Sequence, residues 1–195
     1  MNMETVYIAD KSLTELESLF LCDVEDDDYY DVIAFNISQL DPRYLLNHIH
    51  EYNGSRLRAA IFGMGLGQNS GQLNELLKSY LGNNNELVVA EAIDALRNLK
   101  NIYMWDEVKK LASHESSYVR GAVLRYVSHT LPNDEAYPIL VAGLNDPHFI
   151  VRENSIDELA RLGSGAACQH IHPLVNDRHP DVRQAAKSAI EALSK

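Results

Sequence analysis

The 195-residue sequence has two cysteines, one tryptophan and six prolines. Its apolar runs all fall short of the roughly 18 residues needed to span a bilayer. Two cysteines, Cys22 and Cys168, cannot build a disulfide framework, and they read as reduced thiols in a cytoplasmic setting. The opening Met1-Asn2-Met3-Glu4 lacks the basic and apolar stretches of a secretory signal. Basic residues are scarce, 17 against 28 acids, for a net charge of −11. That deficit excludes a domain whose affinity comes from neutralising phosphates, and it disfavours an anionic membrane surface. What remains, 46% hydrophobic and 23% charged residues, is the composition of a folded globular chain.

The missing positive charge is missing from one place. Residues 1–51 hold twelve acids and only two bases, Lys11 and Arg43, whereas residues 52–195 hold sixteen acids and fifteen bases. The excess negative charge therefore belongs to the first quarter of the chain.

Self-similarity is strongest near the C-terminus. Asn145-Asp146-Pro147-His148-Phe149-Ile150-Val151-Arg152 is repeated in Asn176-Asp177-Arg178-His179-Pro180-Asp181-Val182-Arg183, and Val119-Arg120 marks an earlier copy. The anchors Leu57, Val88, Val119, Val151 and Val182 are 31, 31, 32 and 31 residues apart, with Arg56 offering a competing register at the first. A period near 30 over five units means stacked supersecondary elements. Each unit carries two helical patterns. The second is clearest in Val182, Ala185, Ala186, Ala189, Ile190 and Leu193, and recurs in Val88, Ala92, Ala95, Leu96 and Leu99. First helices are expected over Arg43–His50, Gln72–Leu81, Trp105–Leu111, Ala136–Leu144 and Ala166–Val175. Strand-like alternation is scarce, so the expected fold is an all-α solenoid.

The phrase of an Asp, a few polar residues, Val-Arg, small residues and a Leu-rich end resembles the HEAT-like repeat family, especially its short bacterial phycobilisome-lyase-type form. The resemblance is best over 133–195, fair over 82–131 and weak over 41–70. It implies a right-handed α-solenoid of about five helix pairs, near 41–70, 71–100, 101–131, 132–163 and 164–195. Residues 1–40, with helices expected at Leu13–Cys22 and Tyr29–Leu40, are expected to form a degenerate helical cap, as open solenoid ends require.

Two surfaces are candidates for partner binding. Glu25, Asp26, Asp27, Asp28, Tyr29, Tyr30 and Asp31 combine charge that speeds encounter with aromatic area. The same run also fits a solvated turn in which Asp27 or Asp28 caps the second helix. The family resemblance places second helices on the inner side, where Asp94, Arg97, Arg125, Glu153, Asp157 and Arg161 are the off-stripe polar positions, joined by Gln184 and Lys187. Their mixed signs suit protein recognition. The recurring Arg58, Arg120, Arg152 and Arg183 read as structural, pairing with Asp146, Asp177 and Asp181 between repeats. His148 and His179 fall on one loop ridge, and no His or Cys spacing defines a metal site. Gly63-Met64-Gly65 reads as close helix packing followed by a C-terminal cap.

The leading expectation is a non-catalytic, cytoplasmic protein-binding module, an immunity factor or an adaptor, with no cofactor and no metal. It is expected as a monomer whose partner is a protein with a basic surface rather than nucleic acid or membrane. The alternative is a HEAT-like enzyme, either a phycobilin lyase subunit or a DNA glycosylase for which Trp105-Asp106 would supply the aromatic and the acid.

Overall fold

The computed structural model describes Ile8, residues 10–24 and residues 26–194, and Glu25 lies outside them. The described residues hold no strand. Their helices are α1 (Leu13–Leu21), α2 (Asp28–Leu40), α3 (Tyr44–His48), α4 (Gly54–Gly65), α5 (Gly71–Tyr80), α6 (Glu86–Asn98), α7 (Trp105–Val108), α8 (Ser117–Thr130), α9 (Asn133–Gly143), α10 (Phe149–Leu162), α11 (Ala167–Ile171) and α12 (Pro180–Leu193). Chain packing divides them into two compact units, Met1–Asn101 and Ile102–Lys195.

In the first unit the second helices α2, α4 and α6 form a row, each packed on the next, and α1, α3 and α5 back onto them. In the second unit α8, α10 and α12 form the row, with α9 and α11 backing α10 and α12. The expected apolar stripe makes these rows: Val88, Ala92, Ala95 and Leu96 of α6 are fully buried, as are Val182, Ala186 and Ala189 of α12. Their small side chains allow close approach. A methyl added at Gly65 would lie 2.8 Å from the Cα of Ala95, and one at Gly63 2.9 Å from the backbone oxygen of Ala34.

Three of the first helices, α3, α7 and α11, are shorter than their sequence patterns suggest, whereas α5 and α9 are not. Ile49–Glu51, Lys109–Leu111 and His172–Asn176 are 3₁₀ turns that finish segments begun by α3, α7 and α11. At Pro173 the reason is chemical, because the residue lacks the N–H that an α-helical bond needs. Four helix starts carry a side-chain cap. Ser12 and Glu15 make a reciprocal box at α1, and Asn85 accepts the Leu87 amide at α6.

The glycine-rich end of α4 does not terminate as expected. Its cap is Leu66 at φ −90, so Gly63 and Gly65 serve packing and no left-handed glycine closes the helix. Left-handed caps appear instead after α10, at Gly163 with φ +71, and after α6, at Lys100 with φ +52. There the Asn101 amide donates to Leu96 O at 3.0 Å and the Lys100 amide to Arg97 O at 2.9 Å. Lysine carries a steric penalty in that conformation that glycine does not. Lys100→Gly is therefore expected to raise stability by up to about 1 kcal/mol, readable as a higher denaturation midpoint at unchanged slope.

Arginines lock neighbouring repeats of the second unit. Arg120 directs Nε and Nη2 to both oxygens of Asp146 at 2.8 Å, and its Nη1 to the carbonyls of His114 and Glu115. Arg152 repeats this arrangement one unit later, holding Asp177 at 2.9 and 2.8 Å and the carbonyls of Asp146 and Pro147. The other two arginines depart from the expected pattern. Among the described residues Arg183 donates only to the carbonyls of Asp177 and Arg178, and Asp181 is exposed with His179 as its ion-pair neighbour at 3.6 Å. Arg58 instead pairs with Asp31 of α2 and Glu91 of α6. His148 and His179 do share a ridge, and the Phe149 ring stacks with both, at 4.9 and 3.6 Å between centroids.

Candidate interaction surfaces

The acid-rich turn between α1 and α2 is partly neutralised by its own unit. The Asp23 carboxylate meets Arg56 Nη2 at 2.5 Å. Arg56 also donates to the terminal carbonyls of α1, Phe20 O at 2.9 Å and Leu21 O at 3.1 Å, where a cation suits the negative helix end. Asp26 Oδ1 accepts the Asp28 amide at 3.0 Å, closing the turn that starts α2. Asp27 occupies the N-cap position without capping, because its carboxylate is held by Ser55 Oγ at 2.6 Å. Capping by Asp27 is thus replaced by a tie to α4.

Two members of the expected set leave the surface. Tyr30 is 5% exposed, its ring edge-on to Phe20 and its hydroxyl donating to Cys22 O at 3.0 Å. Its spacing from Ile33, Ala34 and Ile37, all fully buried, puts it on the core stripe. Asp31 meets Arg58 Nη2 at 3.0 Å, and Arg58 Nη1 reaches Glu91 at 3.5 Å, so one guanidinium ties α2, α4 and α6 together. Burial pushes the Asp31 carboxyl above the usual aspartate value despite Arg58, with Asp28 and Asp27 adding repulsion. Tyr29 is half-buried, and Asp26, Asp27 and Asp28 stay exposed. Carboxyl chemical shifts followed against pH should therefore show Asp31 titrating above an ordinary aspartate and Asp177 below it, since the Arg152 fork and the His179 amide lower Asp177 further than burial raises it.

On α6, Asp94 and Arg97 form an ion pair one turn apart, Oδ1 to Nε at 3.3 Å, in which Nε makes no hydrogen bond, and both are largely covered. In the second unit Arg125 donates to Asn154 Oδ1 at 2.7 Å, which ties α8 to α10. Arg161 Nε donates to Glu158 at 2.8 Å and its Nη2 donates to the carbonyl of Ser128. Glu158 is 7% exposed and accepts Ser128 Oγ at 2.5 Å, with His129 Nδ1 3.7 Å away. Glu158, Ser128 and Asn154 escaped the sequence reading because they sit beside the apolar stripe. The Glu158–Arg161 spacing of three was the available signal.

Glu153 and Asp157 differ from the rest. They are one helical turn apart on α10, Glu153 half-buried and Asp157 exposed, and no cation pairs with either among the described residues. Surrounding protein removes enough water to push the Asp157 carboxyl up, and the Glu153 and Glu158 charges push it further.

The residues invoked for base excision do not converge. Trp105 is half-buried and stacks on Tyr126 at 6.4 Å, while Asp106 is exposed and bonded to Lys109 at 2.5 Å. Among the described residues no group of three or more His, Cys, Asp or Glu is placed to hold a metal. No helix of the described residues is long and apolar enough to cross a membrane.

A family model for HEAT repeats matches residues 105–193. No curated protein matches the sequence. Solved structures that are similar include an engineered protein at 14% identity and TM-score 0.55, with 100% of this chain and 97% of that one covered. A designed armadillo repeat protein in complex with the peptide (KR)4 is 17% identical at TM-score 0.53, covering 97% and 98% of the two chains. Computationally designed armadillo repeat proteins for modular peptide recognition are similar at 20% identity and TM-score 0.52, with 97% and 98% covered. At these identities the likeness establishes an α-helical repeat fold of the HEAT and armadillo type, an architecture commonly used for protein binding.

Proposed function

We propose, taking as premise the HEAT repeats of residues 105–193, that the chain is a non-catalytic binding protein whose partner is a protein with a basic surface. It would act in the cytoplasm as an immunity factor or an adaptor. The observation that carries this reading is the Glu153–Asp157 pair on the α8–α10–α12 row, two carboxylates with no cation of their own among the described residues. A lysine or arginine from a partner would relieve their repulsion and meet carboxylates already partly desolvated. The similar designed protein that holds (KR)4, a peptide of alternating lysine and arginine, supports the same chemistry. Asp26, Asp27 and Asp28 have a different role in this reading. They lie in the first unit's exposed turn and steer a basic surface during encounter.

Anisotropy titration of a labelled (Lys-Arg)4 peptide against the 195-residue chain tests both parts. Glu153→Gln with Asp157→Asn is expected to weaken binding about tenfold and to leave the melting temperature unchanged or higher. Unchanged affinity would remove the α10 pair from the reading. Asp26, Asp27 and Asp28 changed together to Asn should slow association and flatten its salt dependence while dissociation stays the same.

A further inference from the structure

The geometry points to a docking site on the α2–α4–α6 row for a basic amphipathic segment of a partner protein, whose apolar side chain would sit on Phe35, Phe62 and Leu66 beside the acids that steer it. The site lies wholly within the first unit. It rests on the reading of a basic protein partner and does not use the Glu153–Asp157 pair. Register assembles the three apolar residues. Asp27 accepts Ser55 Oγ at 2.6 Å and Asp31 meets Arg58 at 3.0 Å, so α2 and α4 run side by side in step. One turn beyond Asp31 and Arg58 stand Phe35 and Phe62, and one further turn along α4 is Leu66. Phe35 is 44% exposed, Leu66 is 39% exposed and Phe62 is half-buried. The core stripe of α4 is made instead by Leu57, Ala60, Ile61 and Met64, all buried.

The other repeats show that this face is not apolar by architecture. Phe62 stands nine residues after the N-cap of α4, and the residues nine after the caps of α6, α8, α10 and α12 are Asp94, Arg125, Asp157 and Ser188. Thirteen residues after the cap, Leu66 is matched by Asn98, His129, Arg161 and Ala192. Four helices thus carry polar or small side chains on this face, and α4 alone of the five puts two large apolar ones there, next to a third from α2. A repeated residue serves the repeated packing, whereas apolar side chains exposed together at polar positions mark a contact surface. Charge decides what covers them. The helices α2, α4 and α6 carry five acids and three arginines. Each arginine is already ion-paired, Arg56 with Asp23, Arg58 with Asp31 and Glu91, and Arg97 with Asp94. Asp28 is exposed, and no cation pairs with it among the described residues. It lies seven residues before Phe35 on the same face of α2, about 10 Å away along the axis. An acidic partner therefore finds no free cation at this face, and a second copy of the chain, at net charge −11, is disfavoured in the same way. A basic segment is drawn toward Asp28 and lays its apolar side chain on the patch.

Anisotropy titrations of labelled (Lys-Leu)4 and (Lys-Ser)4 against the 195-residue chain test this, because the two peptides carry the same charge and differ only in their apolar side chains. The chain should bind (Lys-Leu)4 about tenfold or more tighter than (Lys-Ser)4. Phe35→Ser with Leu66→Ser should remove that preference and leave the affinities for (Lys-Ser)4 and (Lys-Arg)4 unchanged. Both side chains are exposed, so circular dichroism melts of this protein should match the parent. The Glu153→Gln, Asp157→Asn protein separates the two sites, since it should keep the leucine preference even where its affinity for (Lys-Arg)4 falls. A parent chain that binds both peptides equally, or neither, overturns the inference. So does a folded Phe35→Ser, Leu66→Ser protein that retains the preference, or a Glu153→Gln, Asp157→Asn protein that loses it.

Discussion

Arg152→Ala is expected to destabilise the second unit by about 3–5 kcal/mol, the range measured when one partner of a buried ion pair is removed. Arg152 and Asp177 expose only 6% and 8% of their side chains. Removing the guanidinium leaves Asp177 with the His179 amide as its remaining donor, and leaves the carbonyls of Asp146 and Pro147 without the donor they shared. Arg120→Ala should cost less, because Arg120 and Asp146 expose 14% and 12% and water can partly replace the lost bonds. Replacing both charges, Arg152→Met with Asp177→Leu, should recover much of the loss, since neither charge is then stranded. The measurement is direct: Trp105 is the sole tryptophan and lies in the same unit, so its fluorescence follows that unit through denaturation.

The pH dependence carries the sign of the pair. Asp177 is held below the usual aspartate value by the Arg152 fork, against burial, with the His179 amide and the Arg152 and Arg178 charges helping. Burial acts first on Asp146 in the upward direction, and the Arg120 bonds, the His148 amide and the Arg120 charge together outweigh it. Their contribution to stability is therefore complete above the ordinary aspartate value and is lost as pH falls through the depressed folded value. In Arg152→Ala that acid-sensitive component should shrink, whereas Asp31, raised by burial, contributes with the opposite sign in the first unit.

Periodicity was enough to read the row of second helices, because an apolar stripe at a 31-residue spacing has one consistent burial. Val88, Val119, Val151 and Val182 are all buried where that stripe puts them. The pairing of Arg120 and Arg152 with loop aspartates was legible for the same reason, since a repeated contact leaves repeated residues. What escaped were contacts made once. Arg58 carries the look of the repeated arginine, yet its register differs by one residue from Arg120 and it meets Asp31 and Glu91 across the row. Tyr30 was grouped with the acids beside it in sequence, although successive helical residues are turned about 100° apart and its own face is the core. Asp94 and Arg97 looked like free surface charges, and only their proximity on one helix shows that they answer each other. Glu153 and Asp157 could not be told from their neighbours by sequence, because their distinction is that no cation pairs with either among the described residues.

Gly65→Ala should destabilise the first unit by wedging α4 away from α6. The added carbon would lie 2.8 Å from both the Cα and the Cβ of Ala95, and real contacts of that kind do not occur so close. Relief requires α4 and α6 to move apart, and α4 is simultaneously held to α2 through Gly63, whose own added methyl would meet Ala34 O. Overpacking of this kind costs about 1–3 kcal/mol, and Gly65→Val should exceed that range. Ala95→Gly in the same chain removes the Cβ half of the clash and leaves the Cα half, so it should recover only part of the loss. Gly71→Ala and Gly82→Ala serve as the comparison, because a methyl at either position meets nothing within 4 Å. If the loss at Gly65 reflected only reduced chain flexibility, all three substitutions would shift stability alike; a large loss confined to Gly65, visible as a lower denaturation midpoint, places the effect in the α4–α6 contact.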